Sequence, residues 1–496
     1  MLAHGRLWTA YLIVFVSSAC TLVLELVAGR LLAPYVGVSL YTWTSIIGVV
    51  LAGITVGNFL GGVLADRRPE RTTLGALLLA SGAASLAVLL LVGLLAPLAG
   101  SGWPLLLRIL VLAAIFFLPS AILGMVAPVV VRLSLDDLTR AGHTVGKIYA
   151  CSALGSIVGT FATGYWLIAT FGTRAIILGV GLVLVVLAVA FGGFGRPARR
   201  PLAVAVVAAG AVLLLQVTGL LRGPCNVAES AYYCIQVRDG EYQGHAVRQL
   251  ILDHLIHSHS DLADPTYIAY DYERAYATVT AAIARRQPAL RALFIGGGGY
   301  TFPRYLEIRY PAATIEVAEI DPAVTAAAYQ YMGLPADSRV VTYNRDARLA
   351  LDDLVAAGRQ YDVIFGDAFN DLSIPYHLTT RELAARLARL LAPGGAYLAN
   401  IIDDPARGEF MRAYAQTLAT AFPHIAVIST GASRDLQGLS TYVLAASATP
   451  LDPAEIPIFP PDRLADWLAQ GRPLVLTDDY APVDNLMAPM FAERGS

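Results

Sequence analysis

The sequence predicts an all-α polytopic membrane bundle, then a small β-module, then a doubly wound α/β domain. Three observations carry that expectation. Apolar stretches near the roughly 20 residues needed to cross a bilayer recur through the first 222 residues and then stop. Beyond them, short apolar runs alternate with helical segments, the pattern of a mostly parallel sheet. One such run, Ala292-Leu293-Phe294-Ile295, passes directly into Gly296-Gly297-Gly298-Gly299.

A chain of 496 residues is too long for one ordinary domain, and a mean hydropathy of +0.60 is too apolar for a soluble one. The charges divide sharply. Through Arg222 there are 14 Lys+Arg and 5 Asp+Glu, a balance of +9; the remainder holds 21 and 32, a balance of −11. A basic membrane half and an acidic globular half suit a small cationic substrate better than nucleic acid. A plain solvated acidic surface would give the same count.

Seven stretches are long enough to span, near 10–32, 42–64, 73–98, 105–131, 148–168, 174–194 and 201–221. The first is too long for a cleaved signal peptide and is followed by further spans. These set the expected organisation: a transmembrane domain over 1–222, a β-hairpin module over 223–262, and a Rossmann-type domain over 263–496. Gly53, Gly57, Gly61 and Gly62, and Gly155 and Gly159, have the spacing of close helix–helix approach in lipid. Pro119 and Pro128 predict kinks in the fourth span. Glu25 and Arg30 are costly in lipid and should face protein or water, as part of a transport path, of an internal ion pair or, for Arg30, at the membrane interface. The most basic connections fall on one side of a seven-span bundle, which the positive-inside rule makes cytoplasmic. Everything after Arg222 is then exterior, where a disulfide between Cys225 and Cys234 would be permitted. A domain that uses a cytosolic nucleotide should instead face the cytosol, so a multi-pass cell-membrane protein is expected with its C-terminal side open.

In the second half, 232–238 reads as a strand, Asp239-Gly240-Glu241 as a turn, and 248–253 as its partner. Further strands are expected at 291–296, 314–320, 340–345, 361–367, 396–402, 424–430 and 440–447. A helix over 380–391 should close at Pro393-Gly394-Gly395. Seven strands ending in an antiparallel pair would make the methyltransferase-like variant of the Rossmann fold, with its crevice at the carboxyl ends of the strands.

The chemistry-bearing residues sit at those ends. Glycines after the first strand (Gly296, Gly297, Gly298) let a ligand approach the backbone closely. Glu319, closing the next strand about 20 residues on, is placed to accept hydrogen bonds from ribose hydroxyls. Asp346 with its small neighbour Ala347 can accept an adenine amino group, and Asp367 falls at the crevice mouth. Each acid alone has a plainer role as a helix N-cap or turn residue. His254, His257 and His259 lie close together; alternation would put His257 and His259 on one strand face, compatible with a metal pair, or lining a polar pocket. The four cysteines have no zinc spacing, and no metal is expected. The polar stretch 477–484 reads first as structural.

At these residues the chain resembles the spermidine synthase (polyamine aminopropyltransferase) family, in its membrane-fused type, over roughly 229–399. The family's Ser-x-Tyr-Gln-x-Ile-x-Val is matched by Ser230-Ala231-Tyr232-Tyr233-Cys234-Ile235-Gln236-Val237, and its Leu-Asp-Gly by Leu252-Asp253-His254. Its glycine loop corresponds to 296–301, its Glu-Ile-Asp to Glu319-Ile320-Asp321, its Asp-Ala to Asp346-Ala347, and its Tyr-Asp-Val-Ile…Asp to Tyr361-Asp362-Val363-Ile364 and Asp367. Gly61-Gly62-Val63-Leu64-Ala65-Asp66-Arg67 also looks like the cytoplasmic loop signature of major facilitator transporters.

The resemblance implies transfer of an aminopropyl group from decarboxylated S-adenosylmethionine, a co-substrate and not a bound cofactor, to a polyamine, with putrescine as the default acceptor. Asp367 would be the catalytic base. Gly296, Gly297, Gly298, Glu319, Asp346, Ala347 and Tyr233 would hold the nucleotide. Tyr270, Asp271, Asn370, Asp371 and His257 would lie on the acceptor side, although Tyr270-Asp271-Tyr272-Glu273 allows two alignments with the family's Tyr-x-Glu. The implied partners are a small cationic amine and the lipid bilayer, with homo-oligomer formation left open. The chain also departs from the family. Gly299 stands where the family has a loop aspartate, Tyr233 where it has a glutamine, and Asp367-Ala368-Phe369-Asn370 where it has Asp-Ser-Ser-Asp. Two other readings stay open: an S-adenosylmethionine-dependent methyltransferase, and a transporter or sensor that binds a polyamine or nucleoside without turnover.

Overall fold

The computed structural model describes residues 2–98, 103–135, 141–193, 210, 223–368, 374–428, 436 and 438–491. It divides into two compact units, Met1–Ala231 and Tyr232–Arg494.

The first unit is helical. Among the described residues, six helices are long and apolar enough to cross a membrane: Leu7–Val36, Leu40–Arg67, Arg71–Ala96, Phe117–Ser134, Ala141–Thr170 and Thr173–Phe191. This is a multi-pass membrane protein. The seventh expected span, at 201–221, lies outside the described residues. The expected fourth span is broken into Leu105–Ala114, Phe117–Gly124 and Val126–Ser134. A proline ring clashes with the carbonyl four residues earlier, which for Pro119 is Ile115 and for Pro128 is Gly124, and the breaks fall there. Large apolar side chains such as Leu51, Phe59, Leu94 and Phe161 stand exposed, as lipid contact requires.

Glycines set how closely these helices pack. A Cβ on Gly57 would overlap the Ala121 carbonyl, and one on Gly155 the Phe15 carbonyl, whereas Gly62 has open space around it. Backbone cannot yield as a side-chain tip can. Gly155→Leu is therefore expected to destabilise the bundle by about 1–3 kcal/mol or more, and Gly62→Leu to leave it unchanged. Thermal unfolding in detergent, followed by size exclusion, checks this; equal midpoints for the two variants would contradict it.

A two-residue strand, β1 (Ala228–Glu229), lies near the end of the first unit. The second unit opens with an antiparallel meander, β2 (Cys234–Tyr242), β3 (His245–Leu252) and β4 (Leu255–Ser260). The turn differs from the expected one. Asp239-Gly240-Glu241 continues β2, and the reversal is at Gln243-Gly244, both with positive φ (51° and 82°). A two-residue hairpin loop with both centres left-handed matches the twist of its strands better than the three-residue alternative.

Seven strands then form the main sheet: β5 (Arg291–Ile295), β6 (Thr314–Ala318), β7 (Val341–Tyr343), β8 (Tyr361–Gly366), β9 (Leu391–Asp403), β10 (His424–Ile428) and β11 (Ser440–Ser447). Their order is β10-β11-β9-β8-β5-β6-β7, parallel from β7 to β9 and antiparallel at β11 and β10. This is the expected doubly wound sheet with a terminal antiparallel pair. Both faces are covered. Leu293, Ile295 and Ile364 enter one core, while Ala292, Phe294, Val363 and Phe365 enter the other. The helix expected over 380–391 runs Arg381–Leu390, capped by the Thr380 hydroxyl, and does not close at the Pro-Gly-Gly. The chain enters β9 directly, and Pro393-Gly394-Gly395 forms a bulge where pairing jumps from Tyr361↔Leu391 to Val363↔Ala396, with Gly394 at φ +77°.

Candidate active site

The first strand of the parallel set, β5, lies mid-sheet with β6 on one side and β8 on the other, so the topological switch point falls at its carboxyl end. The hydrogen-bond ladder runs one residue past the strands there. Gly296 N–H donates to the Ala318 carbonyl (2.9 Å), Asp367 N–H to the Ile295 carbonyl (2.9 Å), and Glu319 N–H to the Tyr343 carbonyl (3.1 Å). Glu319 and Asp367 are thereby held on either side of Gly296. The glycine loop meets protein as closely as it would meet a ligand. A Cβ on Gly296, at φ +98°, would overlap the Asp367 carbonyl, and one on Gly299 would stand 2.7 Å from Ser258 Cβ.

These ends frame a narrow open cleft with roughly 90 Å³ of free space. It is lined by Gly296, Gly298, Glu319, Asp346, Ala347 and Asp367. Tyr233 and His257 reach it from the meander. Eight of the residues proposed from sequence therefore share one hollow, and Gly297 adjoins it through Glu319. Asp271 does not reach it: it is exposed and paired with Arg274 at 2.6 Å within the first turn of helix Asp271–Ala284. Tyr270 is not among the lining residues either; its hydroxyl donates to the Ile256 carbonyl at 3.1 Å and its ring stacks on Tyr272. Asn370 and Asp371 lie outside the described residues.

Each acid is engaged. Glu319 is buried, with one oxygen accepting from Gly297 N–H (2.9 Å) and Gly298 N–H (3.4 Å), and the other from Asp321 N–H (2.9 Å). Burial raises its pKa, and those three N–H groups oppose the rise. A carboxylate has about four acceptor positions, so little capacity is left for a ligand hydroxyl beyond one site. Asp346 caps helix Ala347–Ala356 through Arg348 N–H (2.9 Å) and Leu349 N–H (3.3 Å). Its second oxygen lies 2.9 Å from His377 Nε2. Asp367 accepts from the Tyr272 hydroxyl (3.1 Å) and from Asn400 Nδ2 (2.8 Å); burial raises its pKa, and both donors lower it. Asp321 serves as a cap, accepting from Ala323 N–H at 2.9 Å.

Two neighbours, His377 and Asn400, escape a reading of the sequence alone. His377 lines the cleft from a short 3₁₀ turn, Tyr376–Leu378. That turn is braced by Arg348, which donates to the His377 carbonyl (2.8 Å) and pairs with Asp478, so the 477–484 stretch acts structurally. Asn400 sits on β9 opposite Asp367. Tyr272 and Glu273 follow the two residues proposed from sequence, and the second of the two alignments pointed to them. Among the histidines, His259 stacks on Tyr242 at 4.3 Å, while His257, which lines the cleft, has a buried Nε2 with no hydrogen-bond partner among the described residues. Burial, with His254 nearby, pushes His257 down to about 4, so its ring is neutral at physiological pH. No group of three or more metal-ligating side chains occurs among the described residues.

Glu273 is buried and accepts from the Thr301 hydroxyl at 2.9 Å. Burial, with the Asp367 charge adding, raises its carboxyl from 4.5 to about 7. The folded chain thus holds this proton more tightly than the unfolded chain. The stability this provides is complete below about 4.5 and is lost as pH rises through about 7, at most about 3 kcal/mol. Glu273→Gln cannot ionise, and is expected to flatten the fall of melting temperature across that window. An unchanged slope would contradict this assignment.

A family model described as Major Facilitator Superfamily matches residues 7–336, about two thirds of the chain. The chain belongs to the Major Facilitator Superfamily. For a member of that superfamily the second unit has relatives of another kind. The chain is similar to a probable polyamine aminopropyl transferase of Bifidobacterium longum, 36% identical over 149 residues, covering 30% of this chain and 32% of that one. It is also similar to a polyamine aminopropyltransferase of Vibrio vulnificus, 29% identical over 209 residues, covering 40% of this chain and 69% of that one. The chain thus spans about a third of the length of the first relative and about two thirds of the second. A probable spermidine synthase from Corynebacterium glutamicum matches at a TM-score of 0.40 and 25% identity, over 44% of this chain and 78% of that one.

Proposed function

We propose that the second unit transfers an aminopropyl group from decarboxylated S-adenosylmethionine to an amine acceptor, putrescine by default. One observation supports this most directly: Glu319 and Asp367 line a single cleft on either side of Gly296. In this reading the adenosyl group lies over the glycine loop, with its ribose at Glu319 and its base toward Asp346 and Ala347. The acceptor amine attacks the methylene carbon beside the sulfonium. A C–N bond forms, the C–S bond breaks with its electron pair staying on sulfur, and methylthioadenosine leaves. An amine attacks only when neutral, so its proton passes to Asp367. Burial that raises the Asp367 pKa suits a group that must accept a proton, and Tyr272 and Asn400 fix its direction.

The acceptor side supports a second reading, binding without turnover. Ser258 fills the space a side chain at 299 would need, and its hydroxyl accepts the Gly299 N–H at 2.9 Å. A loop acid there is excluded by packing. Incubation of purified protein with decarboxylated S-adenosylmethionine and putrescine, read by product mass, tests the proposal. Spermidine with methylthioadenosine is expected. A methyl gain with S-adenosylmethionine, or adenosyl binding with no product, would replace it.

A further inference from the structure

The first unit has two distinguishable ends, because its crossing helices are joined by short connections and alternate in direction. Residues 37–39 join the first helix to the second, and 68–70 join the second to the third. Residues 37–39, 103–104 and 171–172 therefore share one end, and 68–70 lies at the other. The contacts agree: the Arg108 guanidinium donates to the Tyr35 carbonyl at 2.7 Å, tying the start of the fourth segment to the end of the first.

The last described helix of the unit, Thr173–Phe191, finishes at the 68–70 end, where a Cβ on Gly193 would stand 3.2 Å from Arg71 Cβ. The chain is next described at the opposite end. A side chain at Gly223 would run into the Arg174 guanidinium, the Glu229 carboxylate accepts the Thr173 N–H at 3.0 Å, and Arg30 donates to the Ser230 carbonyl. Gly193 and Gly223 therefore lie at opposite ends of the unit. The ends also differ in charge. Arg67, Arg68, Arg71, Arg132 and Lys147 lie toward the first, and Arg30, Arg108 and Arg174 toward the second, so the first is the more basic. The basic end faces the cytoplasm.

We propose that the chain leaves the bundle on the exterior face, so that the cleft operates outside the cytoplasm. Among the described residues after Tyr232, no helix is long and apolar enough to cross back. This follows from connectivity and charge and holds whether or not the cleft turns over a substrate. Any adenosyl ligand must then be supplied on that face, so the step before this one is release of an adenosyl sulfonium across the membrane.

The test places a short epitope in the full-length chain either between Gln243 and Gly244 or at Pro69, each in intact cells with an impermeant antibody. The expected result is labelling at Gly244 without permeabilisation, and at Pro69 only after it. Protection of the Gly244 epitope until the membrane is opened, with a cytosolic control also protected, would overturn the proposal. Neither outcome depends on activity, so failure here and failure of aminopropyl transfer are separable.

Discussion

Replacing Asp367 with Asn is expected to lower turnover by roughly 10²–10⁴-fold, the range for loss of a positioned general base, while adenosyl-thioether affinity changes by no more than about threefold. The substitution is close to isosteric, and its surroundings tolerate it. The oxygen of the introduced amide can still accept from Asn400 Nδ2, and the Tyr272 hydroxyl can rotate to accept from the new amide nitrogen. The Tyr272 O–H then loses its acceptor, a cost in stability, so it is the retained binding that shows the loss to be chemical. Raising the pH should not restore the rate. Turnover within about threefold of the parent, with binding intact, would remove Asp367 from the chemistry and favour binding without catalysis.

Glu319→Ala should do more damage, and to binding first. The Glu319 carboxylate gathers Gly297, Gly298 and Asp321 N–H groups. Removing it leaves two well-made hydrogen bonds and one long one without an acceptor in a buried place, at about 1–3 kcal/mol for each good one. The glycine loop would lose the group that shapes it. Affinity for methylthioadenosine is expected to fall by roughly 100-fold or more, by the 1.4 kcal/mol per tenfold rule. Glu319→Gln, which retains one acceptor but turns an amino group toward an N–H, should fall between the two. The measurement is equilibrium binding by calorimetry, with circular dichroism to establish that the fold survives. Parent-like affinity in the alanine variant would mean that Glu319 only braces the loop.

Much of this site is legible in the chain because local pattern and global position coincide. Short apolar runs such as 291–295 and 361–366 are buried on both faces, and whatever follows them falls at the crevice; Gly296, Glu319 and Asp367 inherit their roles from that geometry. What stays hidden depends on pairings that no window contains. His377 meets Asp346 across 31 residues of chain, by way of a turn that Arg348 and Asp478 brace. Asp239-Gly240-Glu241 has turn composition, yet Tyr242↔His245 pairing moves the reversal to Gln243-Gly244. The first turn of helix Asp271–Ala284 shows how little separates success from error: one step along the chain turns the exposed Asp271 into Tyr272, whose hydroxyl reaches Asp367. The acids also do two jobs. Asp346 is a helix cap and a cleft residue together, so the plain and functional readings were never exclusive.

Binding of methylthioadenosine to the purified full-length protein and its two variants tests the whole picture most directly. Saturable 1:1 binding by the parent, retained in Asp367→Asn and lost in Glu319→Ala, is the expected result. No measurable binding by the parent, or equal binding by all three proteins, would contradict an adenosyl group held between these two carboxylates.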